Sequence, residues 1–255
     1  MQGGANNAVM EDPGFAEWRD RFSWYFKRRA DMYIGHLAEA ISEPPRSAME
    51  IGCSTGESLG ALASVYPGIS CRASDLSAAS IRVARQRHPE FEFTVGAVPE
   101  DDEPADLLMA FHVVEHVPDI ATLRQQMAAR INRGGILYIR VPNFGALSRR
   151  LFGARWPDLV PEHVHYFTRN SLIAWLQEGE FDPLSVTTRG SSWQWMASLK
   201  RFAAGKRGQS TSANGHPQQR ALQTVVVADR LLAPLLALEG LSGLGSELIV
   251  IARRR

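Results

Sequence analysis

Cysteine is nearly absent, with only Cys53 and Cys71 in 255 residues. Both lie in apolar surroundings and neither belongs to a C-x-x-C pair, which argues against a zinc finger or a disulfide framework. This economy suits a reducing cytoplasm. Excess charge of either sign is also missing: 28 basic residues face 27 acidic ones. Basic runs stop at three residues, as in Lys27-Arg28-Arg29 and Arg253-Arg254-Arg255, with a shorter pair at Arg149-Arg150. A long polyanion would need a basic stripe, so a nucleic-acid partner is not expected and these runs read as solvated surface. No apolar run reaches membrane-spanning length, and the richest, 231–244, is broken by Pro234, Glu239 and glycines. Integral membrane contact is therefore not expected. The first residues lack an apolar signal core, and a cytoplasmic location is expected. There is no internal repeat.

What is present is alternation of strand and helix patterns. Residues 1–13 read as a disordered leader, and 14–45 as a helical cap carrying Phe15, Trp18, Phe22, Phe26, Tyr33, Leu37 and Ile41 at mostly helical spacing. Strands are expected at 47–51, 69–73, 91–95, 107–111, 136–141, 184–188 and 247–252. Helices are expected at 57–65, 78–87, 120–131, 171–177 (capped by Asn170) and about 220–238, with the 132–135 turn ending the third. The order predicts an α/β fold with a mostly parallel seven-stranded sheet and right-handed crossovers. A Gly-, Ser-, Asn- and Gln-rich stretch at 205–219 reads as a mobile insertion. Leu231, Leu232, Leu235, Leu236 and Leu238 form an apolar face expected to pack on the domain. A homodimer contact or a dock for a lipophilic substrate is the next reading, and membrane anchoring the third.

Chemistry concentrates at the end of the first strand, in Glu50-Ile51-Gly52-Cys53-Ser54-Thr55-Gly56-Glu57. Glycine there lets a ligand approach the backbone, and the helix beyond offers free N–H groups to an anion. Asp75 follows the second strand, 23 residues past Gly52, where a carboxylate can accept from both hydroxyls of a ribose. A glycine loop alone would read as a tight turn. The order strand, loop, helix, strand, acid points to nucleotide-type binding. The dinucleotide fingerprint G-x-G-x-x-G is not met, because Ser54 and Glu57 stand at its second and third glycines. Glu50 and Glu57 oppose a pyrophosphate, whereas Glu50 suits an ammonium group. S-adenosylmethionine has an ammonium, a carboxylate, a ribose diol and a sulfonium.

The loop resembles motif I of the class I S-adenosylmethionine-dependent methyltransferases, (D/E)-x-G-x-G-x-G, with Ser54 at the middle glycine. The segments 111–119, 134–143, 162–172 and 247–253 are similar to those of a subgroup that includes the ubiquinone-biosynthesis methyltransferases. The resemblance implies a Rossmann-like domain over 46–255 with an antiparallel last strand, and methyl transfer from S-adenosylmethionine to a small-molecule acceptor. By position it implies that Glu50, Gly52, Ser54 and Gly56 line the methionine end of the cofactor. Asp75 would bind the ribose, Leu76 touch the adenine, and Phe111 and His112 lie beneath. The family's acid after the third strand is missing from Gly96-Ala97-Val98, leaving Asp101 or a backbone carbonyl for the adenine amine.

Relatives that methylate nucleic-acid amines carry (D/N/S)-P-P-(Y/F/W) where this chain has His112-Val113-Val114-Glu115. Some ubiquinone enzymes have E-x-x-E-H there as a metal site. His112 replaces the first acid, so Glu115 and His116 are expected to fix the loop and no metal is expected. Histidine suits proton removal near neutral pH. His165 or His163, then His116, are expected to orient or deprotonate the acceptor. The alternatives are imidazoles that only hold loop carbonyls, and a protein that binds the cofactor without turnover.

Overall fold

Residues 13–98, 103–205 and 219–255 are described by the computed structural model. Residues 1–12 of the expected leader, Asp101 and nearly all of the 205–219 insertion lie outside them, while Pro13, expected in the leader, opens a helix. Helices α1 (Pro13–Arg21) and α2 (Ser23–Ala40) precede β1 (Ser47–Ile51), α3 (Glu57–Val65), β2 (Ser70–Asp75), α4 (Ala78–Arg87) and β3 (Glu92–Val95). Then come β4 (Ala105–Phe111), α5 (Ile120–Ala129), β5 (Ile131–Pro142), α6 (Leu147–Phe152) and α7 (Arg169–Gln177). The chain continues through β6 (Phe181–Arg189), α8 (Ser192–Ala203), α9 (Gln219–Leu231), α10 (Ala233–Leu241) and β7 (Glu247–Arg254).

The seven strands form one sheet in the order β3-β2-β1-β4-β5-β7-β6. β1 to β5 are parallel, and β7 inserts antiparallel to both β5 and β6. The chain winds outward from β1 to β3 and returns to β4, so the crevice for a ligand opens at the C-terminal ends of β1 and β4. Helices cover both faces, which explains the near-continuous apolar strands. On one face Leu37, Leu59, Leu62 and Ile81 pack on Ala48, Leu107, Met109 and Tyr138. On the other, Leu123, Met127, Leu172 and Trp175 pack on Met49, Leu108, Leu137 and Val250. Ile34 and Leu37 are fully buried, each worth about 1.5–3 kcal/mol. Helix α2 is therefore a core layer.

Several expectations need correction. Helix α5 stops at Ala129, and 131–142 is one strand whose bulge lies between the pairs Ala105–Ile131 and Leu107–Ile136. Gly134, at φ 80°, serves that bulge rather than a helix end. Helix α7 is capped by Thr168, whose hydroxyl accepts from the Ser171 N–H at 3.2 Å, and not by Asn170. β6 extends through Pro183, which an edge strand tolerates. The single helix expected at 220–238 is two helices, because Pro234 opens α10. Leu222 and Val225 pack against Phe22 and Tyr25, but Leu231, Leu235 and Leu238 are exposed and do not pack on the domain. Helix α8 is an addition to the expected set. Among the described residues, no helix is long and apolar enough to cross a membrane.

Candidate active site

The loop after β1 is fixed from below by the end of β2. The N–H groups of Gly52 and Cys53 both donate to the Ser74 carbonyl, at 2.8 and 3.0 Å. Gly52 has φ 73°, and a Cβ there would stand 2.5 Å from Val113 Cγ2. Both conformation and space thus require glycine. Gly56, at φ 85°, turns the chain into α3. Among the described residues, Ser54 and His112 are the positive-φ non-glycine residues, at 50° and 56°. Both border the crevice, where such strain is commonly held.

Asp75 bridges the two loops. One carboxylate oxygen accepts from the Ser54 N–H and the other from the Ser77 N–H, each at 2.8 Å. Burial raises its pKa, opposed by those two N–H bonds. Each oxygen keeps a lone pair that a ribose hydroxyl could use. The next residue, Leu76, is exposed, as an adenine contact requires. Glu50 is only 2% exposed, and its Oε2 is buried without a partner. Burial lifts its pKa to about 8, with Ser58 opposing and Glu57 adding to the rise. Ser54 Oγ is likewise buried and unpartnered. Orphaned buried oxygens are rare in folded proteins. An ammonium group would satisfy Glu50, so the residues present fit the methionine end of S-adenosylmethionine.

Phe111 ends β4 and meets Tyr138 edge-on, with ring centroids 5.0 Å apart. His112 stands beside an ion-pair network that the sequence did not reveal. Glu247, at the start of β7, accepts from Arg29 at 2.7 Å, Tyr33 at 2.6 Å and Arg140 at 2.8 Å. Burial would raise the Glu247 carboxyl, but Arg140, Arg29 and His112 hold it well below the usual range. Burial would lower His112, yet hydrogen bonds to Glu115 and Glu247 push it up to about 9. Its side chain keeps 39% of its surface open, so solvent screens part of this field.

The three expected histidines divide. His116 Nδ1 faces the Glu162 carbonyl at 2.9 Å, and His163 Nδ1 the Asp158 carbonyl at 2.8 Å. A carbonyl only accepts, so both Nδ1 atoms carry a proton, which leaves Nε2 as the remaining nitrogen of each ring. Their ring centroids are 4.7 Å apart. One ligand atom from each of Glu115, His116 and His163 lies within 4.8 Å of the others. Glu115 Oε2 is buried without a partner. This trio could share a proton or hold a cation. Burial lowers the His163 pKa, which favours the neutral ring, and Glu115 opposes it. His165 instead points Nε2 at the Pro118 carbonyl, 3.0 Å away. His163 and His165 therefore hold different carbonyls.

Beyond Tyr33 and Glu247 opens a cleft of about 730 Å³ between α2, the end of β6, and α9 with α10. Arg28, Arg29, Arg169, Arg189 and Arg230 line it, against Asp229 and Glu247 as the acids. These arginines come from distant segments, so no motif could have flagged them.

Sheet order, crevice and glycine loop together define the class I methyltransferase fold. Residues 18–186 match the family model described as a methyltransferase domain, and the chain belongs to that family. The trans-aconitate 2-methyltransferase of Methylobacterium radiotolerans is 31% identical over 121 residues, 46% of each chain. That of Deinococcus radiodurans is 30% identical over 136 residues, 52% of each. The chain thus spans about half the length of the curated relatives it matches. These relatives are named for trans-aconitate, so the resemblance to the ubiquinone-biosynthesis subgroup gains no support from them. The same fold appears in the complex of the Haloferax volcanii Trm112 methyltransferase activator with a methyltransferase, at 13% identity. The TM-score is 0.59, covering 100% of this chain and 99% of that one. It appears also in the [4+2]-cyclase SpnF, at 16% identity and TM-score 0.57, covering 88% and 80%.

Proposed function

We propose that the chain transfers a methyl group from S-adenosylmethionine to a small-molecule acceptor that carries negative charge. The observation that carries the cofactor is the loop after β1. It combines a buried, unpartnered Glu50 oxygen with Asp75 one strand away. When bound, the cofactor supplies an electrophilic methyl on its sulfonium. Glu50 binds the ammonium, Asp75 the ribose, and Phe111 and His112 form the floor. Five arginines around the adjoining cleft favour an anionic acceptor, and the curated relatives are named for a carboxylate substrate.

Methyl transfer is an in-line displacement, so orientation accounts for most of the rate. The arginines orient the acceptor's charge. A carboxylate acceptor needs no base. A hydroxyl acceptor gives its proton to the Nε2 of His163 or His116, and the neutral state of His163 favours it. His165, tied to Pro118, orients the loop.

The test is methyl transfer from labelled cofactor to a panel of small carboxylates, phenols and amines. Transfer to carboxylates or other anions is expected. Exclusive methylation of neutral amines would refute the charge assignment. Tight S-adenosylhomocysteine binding with no acceptor methylated would favour a cofactor-binding protein without turnover.

A further inference from the structure

The methionine end of the cofactor carries a carboxylate as well as an ammonium, and the motif residues account only for the ammonium. Side chains around the loop are acidic: Glu50, Glu57 and Asp75. A ligand carboxylate placed there meets repulsion unless a cation is near. The α3 N-terminus offers N–H groups, but Glu57 stands in its first turn, and Gly56 gives no side-chain cap.

The cation comes from outside the motifs. Arg19, on α1, donates from Nη2 to Glu57 Oε2 at 2.9 Å and from Nε to Thr55 Oγ1 at 3.4 Å. Its guanidinium sits 3.9 Å from the Phe26 ring centroid, which fixes the plane of its donor fork. The side chain is 19% exposed, desolvated enough to strengthen a charged contact. Its positive field reaches all three acids and favours the ionised form of Glu50, Glu57 and Asp75. Glu57 does not depend on Arg19 alone, because Arg87 Nη1 also binds it at 2.7 Å. Arg19 can therefore turn a donor to a ligand without stranding a buried carboxylate.

We propose that Arg19 receives the carboxylate of the cofactor's methionine end, which makes helix α1 part of the cofactor site. This rests on the cofactor reading above. Planar, bidentate guanidinium–carboxylate pairing is the recognition that arginine provides best. Ligand binding then ties α1 to the loop after β1, and residues 13–21 close over one end of the crevice.

The experiment is calorimetric titration of the full chain with S-adenosylhomocysteine and with decarboxylated S-adenosylmethionine, which keeps the ammonium but lacks the carboxylate. Wild type, Arg19→Gln and Arg19→Lys are compared. The expected result is at least a tenfold loss of S-adenosylhomocysteine affinity in Arg19→Gln, partial recovery in Arg19→Lys, and a much smaller change for the decarboxylated ligand, which feels Arg19 only through its field on Glu50. Equal losses for both ligands would make Arg19 only a clamp between α1 and α3, and the proposal would fall. Unchanged binding of both would overturn it too. If wild type bound neither ligand, the cofactor reading itself would fail. Arg87→Gln, which breaks the other Glu57 pair, is the control for folding and should affect the two ligands alike.

Discussion

The two ends of the crevice are built differently. At the β1–β2 end the backbone does the work: glycines at φ 73° and 85°, N–H groups fixed on one carbonyl, and one carboxylate bridging two loops. Its residues lie within about thirty positions of each other. At the β5–β7 end side chains do the work, and the contacts are remote. Arg29 and Glu247 are 218 positions apart, and the cleft draws arginines from α2, β6, α7 and α9. The first end can be specified by a short motif, because local geometry is all it needs. The second depends on how the whole chain folds back, so no short motif can specify it. Such an arrangement suits a scaffold that holds one cofactor and many acceptors.

The comparison is broken most forcefully at Glu247. Glu247→Ala leaves Arg29 and Arg140 without their shared carboxylate, and stability should fall by about 3–5 kcal/mol. Chemical denaturation would measure it. A loss under about 1 kcal/mol would mean that the network is ornamental and that the β7 end has no electrostatic keystone.

At the other end Asp75→Ala should weaken S-adenosylhomocysteine binding by about 1.5–3 kcal/mol, the worth of hydrogen bonds to a charged group. The same change should leave acceptor selectivity intact, since Asp75 lies away from the arginine cleft. A shift in acceptor preference in this variant would show the two ends to be coupled.

How much of this was legible follows the same division. The seven strands, their order of appearance and the loop from Glu50 to Gly56 were readable, because short apolar runs bounded by turn residues and glycine placement act over a few residues. Glu247 was readable only as the start of a strand, and Arg140 only as a polar position within one. Their pairing exists only because β7 inserts beside β5. Arg19 lay in a helix read for its aromatics, and nothing local marks its reach to Glu57. The histidines were found as residues, but the partition of His116 with His163, and His165 with Pro118, depends on backbone turns that the sequence does not encode in a repeat. The exposed Leu231, Leu235 and Leu238 show the opposite error, since an apolar stripe was expected to pack where no partner element exists among the described residues.

A smaller effect sharpens the cofactor end. Free Glu50 holds its proton up to about pH 8 because burial disfavours its charge. A ligand ammonium favours the ionised form, so binding expels that proton. Affinity for S-adenosylhomocysteine should therefore climb as pH rises from 6 toward about 8, by at most about tenfold per pH unit, and level off above. Calorimetry in buffers of different ionisation heat should show proton release at pH 7. Proton uptake, or an affinity flat across this range, would remove Glu50 from the ammonium site. The smallest effect is expected at α10, where Leu235→Gln should change stability by less than about 0.5 kcal/mol, because the side chain is 65% exposed. A larger loss, dependent on protein concentration, would point to a second copy covering that face.

The most direct measurement is calorimetric titration of the wild-type chain with S-adenosylhomocysteine and, separately, with NAD. The loop with Glu50 and Glu57, and without the dinucleotide glycines, predicts one-to-one binding of S-adenosylhomocysteine and none of NAD. Binding of NAD without S-adenosylhomocysteine would contradict the account.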